Sequence, residues 1–235
     1  MKVLAISSSP RPGRLSHTGM MLAAAKAHLS EVRPGWQWED VQLWKLDIKV
    51  CDGNGRCFRR EGCIFEDDAE ILIEKMLAAD GIVLASPNYC GNVNSTMMRF
   101  VERTTRLSHR RLLTGKGALA MSTSASPVDS GHAADYLRRL LGSFGASVVE
   151  TCHVGWPFVI HDFDASDHGP LVRGSVDRLV EAVEDPQGQQ PDEAFGVDVR
   201  QALRDNPEVA GRLFRSDARY FEDKERRGQA GVSDG

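Results

Sequence analysis

The sequence predicts an α/β domain with a doubly wound, five-stranded parallel sheet, helices on both faces and a helical C-terminal extension. Two patterns lead to this prediction. Short apolar runs bounded by Ser, Gly or Pro are typical of strands that are buried on both faces of a parallel sheet. Between these runs, apolar residues recur at the three- and four-residue intervals of a helix. Strand and helix alternate, so right-handed crossovers would place helices on both faces.

The elements follow in order from these patterns. The strands are predicted at residues 2–7, 37–46, 81–86, 117–121 and 147–153. The second is the least regular, since Trp38, Val41 and Leu43 alternate only loosely with polar residues. The helices are predicted at residues 18–31, 67–79, 95–107 and 132–144. Asp67 and Asp68 begin the second helix, where their negative charge interacts favourably with the positive end of the helix dipole.

A polar segment divides the chain. Residues 1–183 are predicted to form the sheet domain, and residues 184–192, which contain two prolines, form a linker. The extension at 193–235 has scattered apolar residues among many charges, a pattern that gives marginal helices without their own core. It must therefore pack against another surface, which is either the sheet domain of its own chain or a second subunit. The last residues, 228–235, are expected to be frayed.

Charge and composition restrict the partners. A net charge of -4 and a pI near 6.0 argue against a nucleic-acid surface, so small molecules are expected. The first apolar run ends at Ser7, too short for a signal peptide or a membrane span, which predicts a cytoplasmic protein without membrane contact. Five cysteines, an odd number, indicate thiols or ligands rather than a disulfide framework.

The loop after the first strand is rich in hydroxyl groups and leads directly into a helix. Its Ser9, Ser16 and Thr18 offer hydroxyls, and Arg11 or Arg14 offers a guanidinium, beside a helix N-terminus, which favours a phosphate. Neither a Gly-x-Gly-x-x-Gly nor a Walker pattern is present. A simple surface turn is the alternative. The loop follows the carboxyl end of the first strand, at a switch point where open α/β sheets bind their ligands. This position favours a ligand site over a simple turn.

This loop resembles the phosphate loop of the NADPH-dependent FMN reductases, which belong to the flavodoxin-like superfamily. The resemblance lies in Ser9-Pro10-Arg11 with Ser16 and Thr18, although His17 stands where that family commonly has Asn. It implies a flavodoxin-like fold with strand order 2-1-3-4-5. It also implies that Ser9, Arg11, Ser16 and Thr18 bind the 5′-phosphate of FMN.

The loop after the third strand resembles the Ser-Pro-x-Tyr loop of the same family, which lines the flavin ring. The resemblance implies ring contacts from Pro87, Asn88, Tyr89, Gly91 and Asn92. Tyr89 offers a stacking face and Gly91 allows close approach of the backbone. The alternative is that Pro87 and Gly91 are turn residues and Tyr89 anchors the core.

Two further features accompany these loops. Cys90, in the ring-binding loop, is also a candidate cofactor contact, and it is expected to be mostly buried and to fill space rather than to act in catalysis. A third loop, after the fourth strand, is again rich in small hydroxyl residues and could close over the flavin or its ribityl chain. Its candidate contacts are Ser122, Thr123 and Ser124, for which helix capping is the alternative role.

Three cysteines form a separate segment before the second helix. Cys51, Cys57 and Cys63 resemble the compact four-cysteine run of the iron–sulfur flavoproteins, Cys-x2-Cys-x2-Cys-x5-Cys, but Asn54 stands at its second position. A [4Fe–4S] cluster usually requires four thiolates, and structural zinc requires four Cys or His ligands. We therefore predict no metal and interpret the segment as a loop that shapes the substrate pocket.

The resemblance covers roughly residues 1–180 and implies the function. It implies an FMN-dependent oxidoreductase that passes electrons from NADPH or NADH through FMN to a quinone, a flavin or another conjugated small molecule. It also implies a homodimer or higher homo-oligomer. The alternatives are an electron-transfer flavoprotein, with or without an iron–sulfur remnant, and a flavin-free binding module on the same fold.

Overall fold

The computed structural model describes residues 1–12, 15–60, 62–126, 131–155, 168–186 and 198–230. Its centre is a parallel sheet of β1 (Lys2–Ser7), β2 (Gln37–Gln42), β3 (Gly81–Tyr89), β5 (Gly117–Ser124) and β6 (Ser147–Gly155). The strand order is β2-β1-β3-β5-β6, while the short β4 (Asn92–Val93) pairs antiparallel with the end of β3. Among the parallel strands this is the order 2-1-3-4-5, which confirms the predicted flavodoxin-like sheet.

Helices cover both faces of the sheet. One face carries α1 (His17–Val32) and α6 (His168–Glu184), and the other carries α2 (Asp68–Ala78), α3 (Ser95–Val101), α4 (Thr105–Arg110) and α5 (His132–Ser143). Val3 packs with Met21 and Val172, whereas Leu4 packs with Leu72 on the opposite side. Alternate residues of β1 are thus buried in different layers, which explains why the run is continuously apolar. Among the described helices, none combines the length and apolar character needed to cross a bilayer.

Several predicted elements were wrong in extent. The second strand ends at Gln42 rather than at residue 46, because a 3-10 turn over Leu43–Lys45 brings Leu43 into the core. The helix predicted over 95–107 is divided into α3 and α4. It breaks where Arg103 turns inward, with only 6% of its surface exposed, to pair with Asp67. β3 and β5 also extend three residues beyond their predicted ends, so the strands themselves carry candidate site residues.

The C-terminal extension contains α7 (Val199–Asp205), α8 (Pro207–Leu213) and α9 (Arg215–Ala230). Asp217 is almost completely buried and pairs with Arg110, with 2.6 Å between Nε and Oδ1, and with the ring of His109. Phe214 contacts Phe58, with 5.7 Å between the ring centroids. The described extension therefore packs on the sheet domain of its own chain. Residues 187–197 and 231–235 lie outside the described residues, and they include most of the predicted linker and the last five residues of the predicted frayed end. Residues 228–230 of that end belong to α9.

Gly145, just after α5, supports a first prediction. Its φ is +91°, and a Cβ there would lie 2.6 Å from Thr114 Oγ1 and 3.0 Å from Arg111. We expect Gly145→Ala to lower the free energy of unfolding by about 2 kcal/mol or more, because the left-handed backbone and the clash both oppose a side chain. Urea unfolding measures this change. Gly35→Ala is the matched control, since a Cβ there meets nothing within 4 Å. Equal losses in the two variants would contradict the prediction.

Candidate functional site

A cleft lies at the carboxyl ends of β1, β3 and β5, where the predicted loops meet. Parallel strands present these ends at one edge of the sheet, which is the usual place for a ligand in this architecture. Nine of the thirteen predicted site residues line it: Ser9, Arg11, Ser16, Thr18, Pro87, Asn88, Tyr89, Thr123 and Ser124. His17 and Ala125 line it as well, although neither was among the predicted contacts. The two ligand-binding loops inferred separately from the sequence therefore share one cleft.

The other predicted residues lie elsewhere. Gly91 and Asn92 line a neighbouring cavity next to α5. Ser122 is fully buried beneath the cleft, where its hydroxyl lies 2.7 Å from Nδ1 of His153. The expectation that Cys90 is mostly buried was wrong, because Cys90 is exposed at the tip of the β3–β4 hairpin. Residues 127–130 of the third loop lie outside the described residues.

Hydroxyl groups link the described parts of the first loop, while residues 13 and 14 lie outside the described residues. Ser16 caps α1: its Oγ accepts a hydrogen bond from the amide of Gly19 at 2.9 Å and donates one to Oγ of Ser9 at 2.7 Å. Thr18 Oγ1 lies 2.7 Å from Thr123 Oγ1, which joins the loop to the end of β5. The positive end of the α1 dipole and these ordered hydroxyls meet in the cleft. Such an arrangement suits an anion.

The second loop is a tight hairpin. Asn88 pairs with Val93 and Tyr89 with Asn92, and the two residues between them, Cys90 and Gly91, both have positive φ. Two central residues of this kind are typical of a type I′ turn, which usually contains Asn or Gly. The turn leaves Tyr89 47% exposed on the cleft side of the molecule rather than in the core. The alternative role of Tyr89 as a core anchor does not agree with this position.

Asn94 connects the two loops, a role that the sequence interpretation missed. Its Nδ2 donates to the carbonyl oxygen of Ser8 at 2.8 Å, and its Oδ1 accepts from the amide of Met97 at 3.0 Å, which caps α3. Ser8 Oγ also donates to Ser86 Oγ at 3.0 Å. An Asn directly before a helical pattern is a recognisable N-cap signal, so the cap could have been predicted from the sequence. The contact with Ser8 could not, because it joins residues 86 positions apart.

The charge in the cleft is positive. Arg11 is exposed at its edge, and no acidic side chain is among its described lining residues. Burial and the nearby charge of Arg11 lower the pKa of His17, so His17 is neutral at pH 7. Arg11 therefore supplies the charge and the hydroxyls supply the hydrogen bonds, which together suit a phosphate.

The interpretation of the cysteine segment as a loop that shapes the substrate pocket was wrong, because this segment lines a separate cavity that shares no residue with the cleft. Cys51, Cys57 and Cys63 line one small cavity together with Arg103 and Arg106. Burial, followed by the electrostatic effect of the other two cysteines, raises the pKa of Cys57, so Cys57 is a protonated thiol at neutral pH. Within the residues that the structure describes, no three Cys, His, Asp or Glu side chains are arranged to hold a metal ion.

Asn54 is occupied by local hydrogen bonds. Its Nδ2 donates to Asp52, and its Oδ1 accepts from the amide of Arg56 at 2.8 Å. The side chain at the second position of the cysteine spacing therefore stabilises a turn of its own segment. This arrangement does not fit a cluster with four thiolate ligands.

Cys152, in β6, supports a second prediction. It is fully buried, and burial raises the pKa of its thiol to about 11, from an ordinary value of 9.0. The thiol ionises at a lower pH in the unfolded chain than in the folded chain. The stabilising contribution of the buried, protonated thiol is therefore complete below pH 9 and is lost as the pH rises towards 11. Two pKa units correspond to about 3 kcal/mol. We expect the free energy of unfolding of Cys152→Ala to fall less between pH 8.5 and 10.5 than that of the wild type. Parallel losses would contradict this expectation.

Comparison with known proteins identifies relatives. Residues 1–160 match the family described as NADPH-dependent FMN reductase. An iron-sulfur flavoprotein from Archaeoglobus fulgidus is 28% identical over 227 residues, which cover 95% of this chain and 99% of that protein. An iron-sulfur flavoprotein from Methanosarcina thermophila is 31% identical over 129 residues, 54% of this chain and 64% of that protein.

Solved structures agree on the fold. The structure of RosB with bound 8-demethyl-8-formylriboflavin-5′-phosphate superposes with a TM-score of 0.65 at 19% identity, covering 89% of this chain and 87% of that one. The apo form of an NADH:FMN oxidoreductase, EMOB, superposes with a TM-score of 0.55 at 23% identity, covering 82% of this chain and 91% of that one.

The residues of the cleft fit FMN. The hydroxyls of Ser9, Ser16 and Thr18 beside Arg11 suit its phosphate, and Pro87 and Tyr89 offer an apolar and aromatic surface for a planar ring. The family match covers more than half of the chain and includes every residue of this cleft. The chain belongs to the NADPH-dependent FMN reductase family, and it is accordingly an FMN-containing, NAD(P)H-dependent reductase.

Proposed function

We propose that this reductase passes electrons from NADPH or NADH through bound FMN to a quinone, a flavin or another conjugated small molecule. The observation that carries the proposal is the meeting of the hydroxyl-rich loop with Arg11 and of the Tyr89 hairpin in one cleft. Bound FMN supplies the hydride-accepting ring, so the protein needs to contribute only position, shielding and electrostatics.

The described residues account for these contributions. Ser9, Ser16 and Arg11 hold the phosphate end. The contact between Thr18 and Thr123 keeps the two walls of the cleft at a fixed separation, and Tyr89 covers the ring end and excludes water there. The exposed side of Tyr89 leaves room for a flat donor or acceptor to stack, which supports a broad class of conjugated acceptors rather than one tightly enclosed substrate.

The relatives named iron-sulfur flavoproteins suggest a cluster as a second redox centre. We propose that this chain works without one, because Asn54 replaces the second ligand and is engaged by Asp52 and Arg56. Iron and acid-labile sulfide should both be below a tenth of the FMN content after anaerobic purification. About four of each per FMN would overturn this part of the proposal.

We also propose that the chain forms a homodimer or a higher homo-oligomer. Cys90 is exposed at the tip of the hairpin and would be covered by a second copy. Light scattering at micromolar concentrations should give twice the chain mass of 25.9 kDa or more. A fully active monomer would contradict this assembly.

Anaerobic stopped-flow mixing of the FMN-loaded protein with NADPH or NADH tests the main proposal. The flavin absorbance near 450 nm should bleach within one turnover and return when a quinone is added. An electron-transfer protein would instead remain oxidised with either nucleotide and accept electrons only from a protein donor. That outcome would overturn the proposed reaction while leaving the FMN site intact.

A further inference from the structure

A cation-rich groove lies where the C-terminal extension packs on the sheet domain. It has a volume of about 370 Å³ and is lined by the end of α4 with the residues that follow it, and by α7 and α9. The charged residues among its described lining are His109, five permanent cations and one carboxylate: Arg110, Arg111, Arg200, Arg204, Lys224 and Asp198. This groove shares no residue with the flavin cleft, so it is a separate site.

Two of the five cations already have carboxylate partners. Nε of Arg110 lies 2.6 Å from Oδ1 of Asp217, and the guanidinium of Arg200 lies 3.2 Å from Oε1 of Glu225. Asp198, the carboxylate among the described lining residues, accepts a hydrogen bond from a backbone amide of α7 at 2.9 Å as the N-cap of that helix. These contacts build the groove and leave its remaining cations uncompensated.

The other three cations, Arg111, Arg204 and Lys224, form no ion pair with any described residue. Each comes from a different element: the C-terminal end of α4, the last turn of α7 and the middle of α9. Arg204 and Lys224 are exposed, so a ligand can reach them. Charges of one sign that line a groove raise the local concentration of the opposite ion, so this groove attracts an anion.

Arg111 has an uncommon backbone conformation for its residue type. It ends α4 with a φ of +50°, in the left-handed region that Gly or Asn usually occupies at the C-terminus of a helix. An unfavourable conformation of this kind is often kept where the side chain has a function. In the groove, a guanidinium can donate two parallel hydrogen bonds to one phosphate group.

The lining groups favour a small, multiply charged anion. Three unpaired cations on three elements match a chain of linked phosphates better than a single phosphate, because each cation can meet its own phosphate group. The rings of the groove are already engaged: the ring of His109 lies 4.9 Å from that of Phe58, and the guanidinium of Arg200 lies 5.6 Å from the centroid of Phe221. A ligand without a base to stack is therefore favoured over a nucleotide.

We propose that this groove binds an inorganic oligophosphate, such as pyrophosphate or tripolyphosphate, and that the bound ligand joins the extension to the sheet domain. Arg111 belongs to the sheet domain, whereas Arg204 and Lys224 belong to the extension, so a ligand that contacts all three stabilises their packing. Sequence reasoning missed the site because the three residues form no motif and converge only in the folded chain.

Calorimetric titration of the full, FMN-loaded chain with tripolyphosphate tests the proposal. Bound FMN fills the phosphate site at Arg11, so that site cannot take the probe. We expect the double variant Arg204→Gln with Lys224→Gln to weaken binding at least tenfold, and the exposure of both residues should preserve the fold. The matched control, Arg212→Gln with Arg226→Gln, removes the same charge from exposed positions of the same extension and should bind like the wild type.

Three other results of this titration would overturn the proposal. Absence of binding to the wild type, or equal weakening in the double variant and its control, would show that these cations attract the probe only nonspecifically. Tighter binding of ATP than of tripolyphosphate would assign the groove to a nucleotide. Equal affinity for citrate would remove the preference for phosphate.

Hydrogen exchange locates the site independently of the titration. Saturating tripolyphosphate should slow the exchange of amides in α7 and α9 of the wild type and raise its melting temperature, because the ligand holds these helices on the sheet domain. Neither effect should appear in the double variant. Protection confined to the loop before α1 would place the probe in the flavin cleft and would contradict the proposal.

Discussion

Replacing Arg11 with Glu is expected to weaken FMN binding about 100-fold, close to 3 kcal/mol, and to leave riboflavin binding unchanged. The reason is electrostatic, because Arg11 provides the charge beside the hydroxyls of Ser9 and Ser16, and a carboxylate there would repel a phosphate. Arg11 is exposed, so its replacement should not disturb the fold. Quenching of flavin fluorescence on titration with protein measures both affinities.

The comparison with riboflavin makes this experiment specific. Riboflavin lacks only the phosphate, so a variant that damages the ring site would weaken both ligands alike. Arg212→Glu, on α8 and 75% exposed at its side chain, is the matched charge reversal and should leave both affinities unchanged. The effect at Arg11 should also shrink in 0.5 M salt, because exposed charges are screened. An unchanged FMN affinity in Arg11→Glu would show that the phosphate binds elsewhere.

Replacing Asp67 with Ala is expected to lower the free energy of unfolding by about 3–5 kcal/mol. Asp67 and Arg103 each have a side chain that is only 1% exposed, and they form two contacts, of 2.6 and 3.1 Å. Asp67 also accepts hydrogen bonds from the amides of Lys49 and Ala69, the second of which caps α2. Its loss leaves a buried guanidinium without its partner, which is among the most costly single changes in a protein.

Urea unfolding at pH 7 tests this prediction. Glu184→Ala is the matched control, because it breaks the exposed pair with Arg33 and should cost less than about 1 kcal/mol. Burial alone would raise the pKa of Asp67, but the hydrogen bonds from Arg103, Lys49 and Ala69 outweigh it and lower the pKa. The contribution of Asp67 is therefore complete at neutral pH and is lost as the pH falls below about 4. A loss in Asp67→Ala no larger than in Glu184→Ala would contradict the argument.

The sheet could be predicted because its strands are buried on both faces, which leaves a continuous apolar signal in the sequence. The division between α3 and α4 could not, since it depends on the contact of Arg103 with Asp67, 36 positions earlier. The turn at Cys90 was missed for a different reason. A cysteine with positive φ is atypical, and no Asn-Gly or Asp-Gly pair marks the hairpin.

The cleft was predictable where all the residues of one wall lie close together in the sequence. Ser9, Arg11, Ser16 and Thr18 lie within ten residues and were brought together as predicted. Gly91, Asn92 and Ser122 were assigned to the flavin by their neighbours in the chain, but the turn and the strand direct them elsewhere. The structure alone reveals the contact of Asn94 with Ser8, because it joins segments that are distant in the sequence.

The packing of the C-terminal extension on the sheet domain determines which surfaces a shortened chain would expose. Truncation at the polar segment after residue 183 would remove Asp217 and Phe214, and would leave Arg110, His109 and Phe58 facing water without the groups that now cover them. Phe58 lies next to Cys57 in the cysteine segment, so the newly exposed surface would bring an aromatic ring and thiols into contact with solvent. A protein cut there should be more prone to oxidation and self-association than the full chain, even though its sheet and flavin cleft are complete.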